Sequence, residues 1–231
     1  MSHEITLSNI TYNNGSERIL SSISLSISSS RSIGVLSSNS KETSELLKIV
    51  SGINKSFKGH AFIDGKFIDE NKFNISYLPP FPCFEENKSI EKLVFDYKKM
   101  FPSFSSNLMD SLLLNFQIDR KMKIKELNPE QINELAFAFS ISKKTSIYVF
   151  DDPLKNIKTQ RIKDYILFCL KEYIDSSSIL IISSSTMDEL SSLCDTFVFM
   201  NKGKVNLVAE KFNLQEKYNM SLSSIYKEVI K

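Results

Sequence analysis

Apolar and polar residues alternate through "EITLSNITY" (residues 4–12) and "LSSISLSI" (20–27), the period-two pattern of strands with one buried face. The two stretches are predicted to pair antiparallel. "SIGVLSS" (32–38) reads as a buried strand. "KETSELLKIVSG" (41–52) reads as a helix whose Leu46, Leu47, Val50 and Ile53 share one face and whose end Gly52 marks. "HAFIDGKFI" (60–68) predicts a hairpin turning at Asp64-Gly65, and "NISYL" (74–78) a strand stopped by "PPFP".

The period then changes. "SIEKLVFDYKKMF", "SNLMDSLLLNF" and "EQINELAFAFSIS" carry apolar residues at helical spacing, so residues 86 to about 145 are expected to form a helical subdomain. Strand chemistry resumes at "SIYVF", followed by a helix over 159–173, the strand "SILIISSS", a helix over 187–194 and a last hairpin in "TFVFMNKGKVNLVA". The closing segment 210–231 predicts two short helices. Strands alternating with helices imply an α/β core, a parallel sheet with crossover helices, preceded by an antiparallel β subdomain. We expect a single domain over residues 1–231, with its core in 1–85 and 146–231. The serine clusters "SSISLSISSS" and "DSSSILIISSS" are read as solvent-facing strand positions and strand ends.

Composition narrows the function classes. The 231 residues carry a net charge of +2 with acids and bases interspersed, which gives no basic face for nucleic acid. Cys83, Cys169 and Cys194 lack metal-ligand spacing and read as buried thiols of a reduced cytosolic protein. No basic-then-apolar leader opens the chain, and no stretch approaches the roughly 18 apolar residues of a membrane span. His3, in a predicted tail, and His60, in the predicted turn "KGH", are the only histidines, so catalysis would rest on carboxylates and hydroxyls.

Two stretches concentrate candidate chemistry. "SSNSKETS" (37–44) lies between a strand and a helix, where backbone N–H groups can converge on an anion. "SIYVFDDPLKNI" (146–157) ends an apolar strand on Asp151 and Asp152. With the order of elements, these stretches resemble the ATP-binding subunits of ABC transporters along nearly the whole chain. The resemblance implies a P-loop NTPase-like core, the ABC ATPase fold. It aligns Ser37, Ser38, Asn39, Ser40, Lys41, Glu42, Thr43 and Ser44 with the family's phosphate loop, of which Asn39 and Ser44 match. Ser37, Ser40 and Glu42 stand at glycine positions and Thr43 at the lysine. Glycines there permit left-handed backbone, which costs another residue roughly 1–2 kcal/mol. A carboxylate about 4 Å from phosphate oxygens is repelled by on the order of 4 kcal/mol at intermediate dielectric. Lys41 is the nearest compensating cation.

The same resemblance makes Ser44 and Asp151 ligands of magnesium, Asp152 the residue that polarises the attacking water, and Tyr12 the ring that stacks on adenine. Asp152 replaces the family's glutamate and shortens its reach by one methylene. Pro80 stands at the metal-sensing glutamine, Lys158 at the aspartate between subunits, Ser185 at the phosphate-contacting histidine, and Asn128, Pro129 and Glu130 at the signature serine and glycines. "CDTFVFMNKGKV" is similar to the drug and antimicrobial-peptide export or immunity branch. The implied protein is a degenerate ATP-binding subunit that binds ATP and Mg weakly or not at all. It would sit on the cytoplasmic face of the membrane through a transmembrane permease subunit, as a homodimer or a heterodimer with an intact ABC ATPase. Phe81, Phe84, Ile90 and Leu93 are the implied interface. Two alternatives stay open, a slow but functional ATPase powering export and a nucleotide-independent adaptor.

Overall fold

The computed structural model describes residues 3–28, 32–71, 74–218 and 221–229. Of the predicted closing helices, residues 219–220 and 230–231 lie outside that set. Strands β1 (Glu4–Asn14) and β2 (Glu17–Ser28) form an antiparallel ribbon, extended by β4 (Lys58–Ile63) and β5 (Lys66–Phe67) into a four-stranded sheet in the order β2-β1-β4-β5. Along β2 the apolar residues are buried and the intervening serines face outward, as the alternation predicts. The turn between β4 and β5 carries positive φ at both Asp64 (52°) and Gly65 (74°), the geometry for which an Asp-Gly pair is favoured.

The second sheet has six strands in the order β10-β9-β3-β8-β7-β6. They are β3 (Ser32–Ser37), β6 (Ile75–Leu78), β7 (Ile147–Asp151), β8 (Ile179–Ser183), β9 (Thr196–Asn201) and β10 (Lys204–Glu210). All neighbours are parallel except β9 and β10, which close as the predicted hairpin. Successive residues of a strand point to opposite faces, and both faces here are covered, which is why these strands are apolar throughout. Ile33, Val35, Ile147, Val149, Ile179 and Ile181 pack toward the antiparallel sheet and α1 (Ser40–Val50). Leu36, Tyr148, Phe150, Leu180, Ile182 and Phe199 belong to the opposite core.

That second core is continuous with the helices α3 (Ile90–Met100), α4 (Ser106–Asn115) and α5 (Pro129–Ser142), and with α6 (Gln160–Tyr173), α7 (Met187–Ser191), α8 (Lys211–Tyr218) and α9 (Leu222–Val229). A one-turn helix, α2 (Ile68–Asn71), follows β5.

Several local expectations are corrected. Ile53 lies beyond α1, which ends at Val50, and is exposed rather than on the buried face. Gly52 does close the helix, with φ 73°. His60 lies within β4 rather than in a turn, stacked 6.0 Å from Phe62. His3 is tied to Asp64 at 2.8 Å rather than loose. α7 stops at Ser191, short of residue 194. Cys169 and Cys194 are buried but Cys83 is exposed. Of the expected interface residues, Ile90 and Leu93 are core and unavailable to a partner, Phe84 packs at 5.9 Å on Phe139, and Phe81 is 69% exposed.

Candidate functional site

The C-terminal ends of β3, β7 and β8 meet at a cavity of about 300 Å³, the edge at which ligands bind in open α/β sheets. Ser37, Ser38, Ser40, Thr43 and Ser44 line it from the β3–α1 turn, Asp151, Asp152 and Lys155 from the end of β7 onward, and Ser183, Ser184 and Ser185 from β8. Pro80 and Tyr226 complete the wall. The structure thus brings together Ser37, Ser38, Ser40, Thr43, Ser44, Asp151 and Asp152 among the candidate residues. Tyr12, Asn39, Lys41 and Glu42 are not on that wall. Tyr12 pairs with Leu20 in the antiparallel ribbon and packs against its core, two residues before β1 ends.

Locally, residues 37–44 form the start of an Asn-capped helix. Asn39 is the N-cap of α1, with extended backbone (φ −115°), and its side-chain oxygen accepts the Lys41 N–H at 3.1 Å. The Asn39 N–H donates to Ser37 Oγ at 3.1 Å, the Glu42 N–H to the Asn39 carbonyl at 3.0 Å, and Thr43 Oγ1 to the Ser40 carbonyl at 3.0 Å. The described residues with positive φ all lie elsewhere, so this turn uses none of the left-handed geometry a glycine would permit. Glu42 is 5% exposed, and its Oε2 accepts the Ser37 hydroxyl at 2.8 Å. Lys41 turns outward to Glu17, at 3.5 Å.

The tandem aspartates are organised by a residue of the neighbouring strand. Ser183 Oγ, 2% exposed, donates to Asp151 Oδ1 at 2.9 Å and accepts the Asp152 N–H at 3.0 Å. Asp151 is also bonded by the Ser44 hydroxyl, and the Tyr77 phenol reaches its Oδ2 at 3.5 Å. Burial holds the Asp151 carboxyl above its ordinary pKa against these donors. Burial, then the charge of Asp151, raises the Tyr77 phenol as well.

Asp152 occupies the left-handed region at φ 51°, a conformation that costs energy and gathers at functional sites. Its Oδ1 is buried without a hydrogen-bond partner. Burial pushes its pKa up to about 6; the charges of Glu189 and Asp151 add to the rise, and Lys155 and Lys163 oppose it. Glu189 itself accepts Ser184 Oγ at 2.5 Å and pairs with Lys163 at 3.1 Å.

The signature-frame residues are also bonded within the chain. Asn128 and Gln131 form a reciprocal capping box at the start of α5, at 2.9 and 3.1 Å, with Pro129 in the first turn. Glu130 Oε1 accepts the N–H groups of Lys158 and Thr159 at 2.9 and 3.1 Å, which caps α6. Asn156 donates to the Pro80 carbonyl at 3.3 Å, and Lys155 lies 4.7 Å above the Phe81 ring.

Comparison with known proteins places this arrangement. No family model matches the chain. It is 26% identical over 215 residues to the tungstate uptake system ATP-binding protein TupC of Peptoclostridium acidaminophilum, an alignment spanning 87% of this chain and 96% of that protein. It is 25% identical over 215 residues to an uncharacterised ABC transporter ATP-binding protein of Methanocaldococcus jannaschii, spanning 88% and 76%. A solved ATP-binding subunit of an ABC transporter superposes with a TM-score of 0.84 at 14% identity, covering 98% of this chain and 99% of that one. The fold is that of an ABC-transporter ATP-binding subunit.

An ABC ATPase site holds ATP with magnesium, and the residues here fit that pair only in part. Ser44, Asp151 and the orphan Oδ1 of Asp152 are hard oxygens of the type magnesium takes. The triphosphate side is different. The Asn39 and Lys41 amides are spent on side chains of the turn itself, Glu42 places a carboxyl beside it, and Lys155 is the cation on the described wall.

Sequence reasoning passed over Ser183, Tyr77, Lys155 and Tyr226. The signal available for Ser183 is a hydroxyl at the C-terminal end of a buried strand in "LIISSS", a cluster whose serines read as solvent-facing positions and strand ends. Ser183 and Ser184 are in fact buried against the two carboxylate sites.

Proposed function

We propose that this chain is the ATP-binding subunit of an ABC transporter with a degenerate phosphate site, in which ATP hydrolysis is impaired or absent. It docks on a transmembrane permease subunit at the inner face of the membrane and works in a homodimer or beside an intact ABC ATPase. One observation carries the reading. Within the turn 37–44 the Asn39 and Lys41 amides are bonded to side chains of the turn itself, and the Glu42 carboxylate is bonded beside them to Ser37. Phosphoryl transfer depends on positioning and charge stabilisation, so a turn that offers neither leaves little catalysis. Phe81 and the half-buried Phe84 are the remaining permease-facing candidates, and residues 86–145 act as the helical subdomain.

The test is phosphate release by the purified chain with magnesium and ATP, alone and with its permease, beside an Asp152→Asn variant. We expect release at the background rate in both proteins. Turnover well above background that disappears in Asp152→Asn would overturn the impaired-site reading.

A slow ATPase is the second reading, and a specific feature favours it. Asp152 is held in left-handed geometry with an unpartnered oxygen, the state of a carboxylate awaiting a ligand or a water. The same assay separates the two.

A further inference from the structure

The C-terminal helix α9 reaches the cavity. Leu222 and Ile225 are buried in the second core and seat the helix, and the Tyr226 ring lies 6.2 Å from that of Phe199. From there the Tyr226 hydroxyl donates to the Ser37 carbonyl at 3.2 Å, and its side chain lines the cavity together with Ser37, Ser38 and Ser40. Burial keeps that phenol above its ordinary pKa, so it stays a donor. Ser37 is therefore engaged three times: its carbonyl by Tyr226, and its hydroxyl by Glu42 and the Asn39 amide.

We infer that α9 is a gate on this cavity: Tyr226, Ser37 and Glu42 form a latch that holds the turn 37–44 in its self-bonded form, and its release opens the turn to a phosphate-bearing anion. The inference rests on reading that turn as a closed phosphate site. Each bond of the latch fixes the β3–α1 junction from a different element, α9 on one side and α1 on the other. Removing either bond frees Ser37 to move, and with it the Asn39 amide that an anion would need. A partner that pulled on α9 would act on the turn through the Tyr226–Ser37 bond.

The experiment is backbone hydrogen exchange over residues 37–44 in the full chain, comparing wild type with Tyr226→Phe and Ser37→Ala. β1 and β2 serve as internal control. Loss of the Tyr226 bond, or of the Ser37 hydroxyl with both of its bonds, is expected to speed exchange of the turn by roughly fivefold to tenfold while the control is unchanged. Trinitrophenyl-ATP with magnesium should bind Tyr226→Phe more tightly than wild type by a similar factor. Glu42→Gln, which keeps an acceptor for Ser37, should leave the exchange of the turn near wild type. Unchanged exchange of residues 37–44 in both Tyr226→Phe and Ser37→Ala would overturn the latch. Hydrolysis by the wild-type chain would sink the impaired-site reading while the exchange comparison still decided the latch.

Discussion

Glu134, in α5, is an acid held in a core, and its titration is the clearest residue-scale consequence of the packing. It is 5% exposed, and burial, followed by the charge of Glu130, pushes its pKa up to about 7 against the pull of Arg161. An acid whose pKa is higher folded than unfolded binds more protons in the native state, so stability falls as pH rises from about 4.5 through about 7. Glu134→Gln removes that cost. We expect the variant to exceed wild type by on the order of 2 kcal/mol near pH 8 and to match it near pH 4, read from urea midpoints. An equal gain at both pH values would contradict the burial account. At this scale the sequence discloses residue type and strand position but not the neighbour across the sheet. That is why Asp151 and Asp152 stood out in "VFDD" while Ser183, which touches both, did not.

At the scale of elements, local chemistry explains most of what was legible. Period-two alternation gave β1 and β2 their buried face, Asp64-Gly65 turned β4 into β5, and Gly52 closed α1 in left-handed geometry. The segment "NPEQ" shows how a local signal has two meanings. It stands in the frame of the family's signature, yet Asn128 and Gln131 bond reciprocally and Glu130 caps α6, so these residues serve the helix ends of their own chain. Asn128→Ala should cost about 1 kcal/mol and lower the melting temperature by about 2–4 °C in a calorimetric scan. No change in melting would mean that Pro129 alone sets the start of α5. Residues with long-range partners were misjudged for the complementary reason. His60 reads locally as part of a turn, but β1 recruits residues 58–63 as a strand.

For the molecule as a whole, two cores meet on opposite faces of one sheet, and the helices after β6 are welded to the second. Phe139 is a junction there, with its ring 4.4 Å from Tyr97, 5.9 Å from Phe84 and 6.0 Å from Phe104. Phe139→Ala is expected to cost roughly 3–5 kcal/mol, whereas Phe168→Ala, half exposed on α6, should stay within about 0.5 kcal/mol of wild type. Chemical denaturation of both variants checks the contrast, and comparable losses would show that the junction is not where stability resides. Fold class was legible because alternation of strands and helices leaves few chain paths. The wiring of the site was not, because it joins β3 to strands far along the chain. β3 pairs with β8 and β9 and with no other strand among the described residues. During synthesis, the backbone edges of β3 therefore have no strand partner until residues 179–201 leave the ribosome, whereas β1, β2 and β4 pair within residues 4–63. A translation product interrupted before residue 179 would hold the paired ribbon beside a strand with both backbone edges open, a template for pairing with other chains.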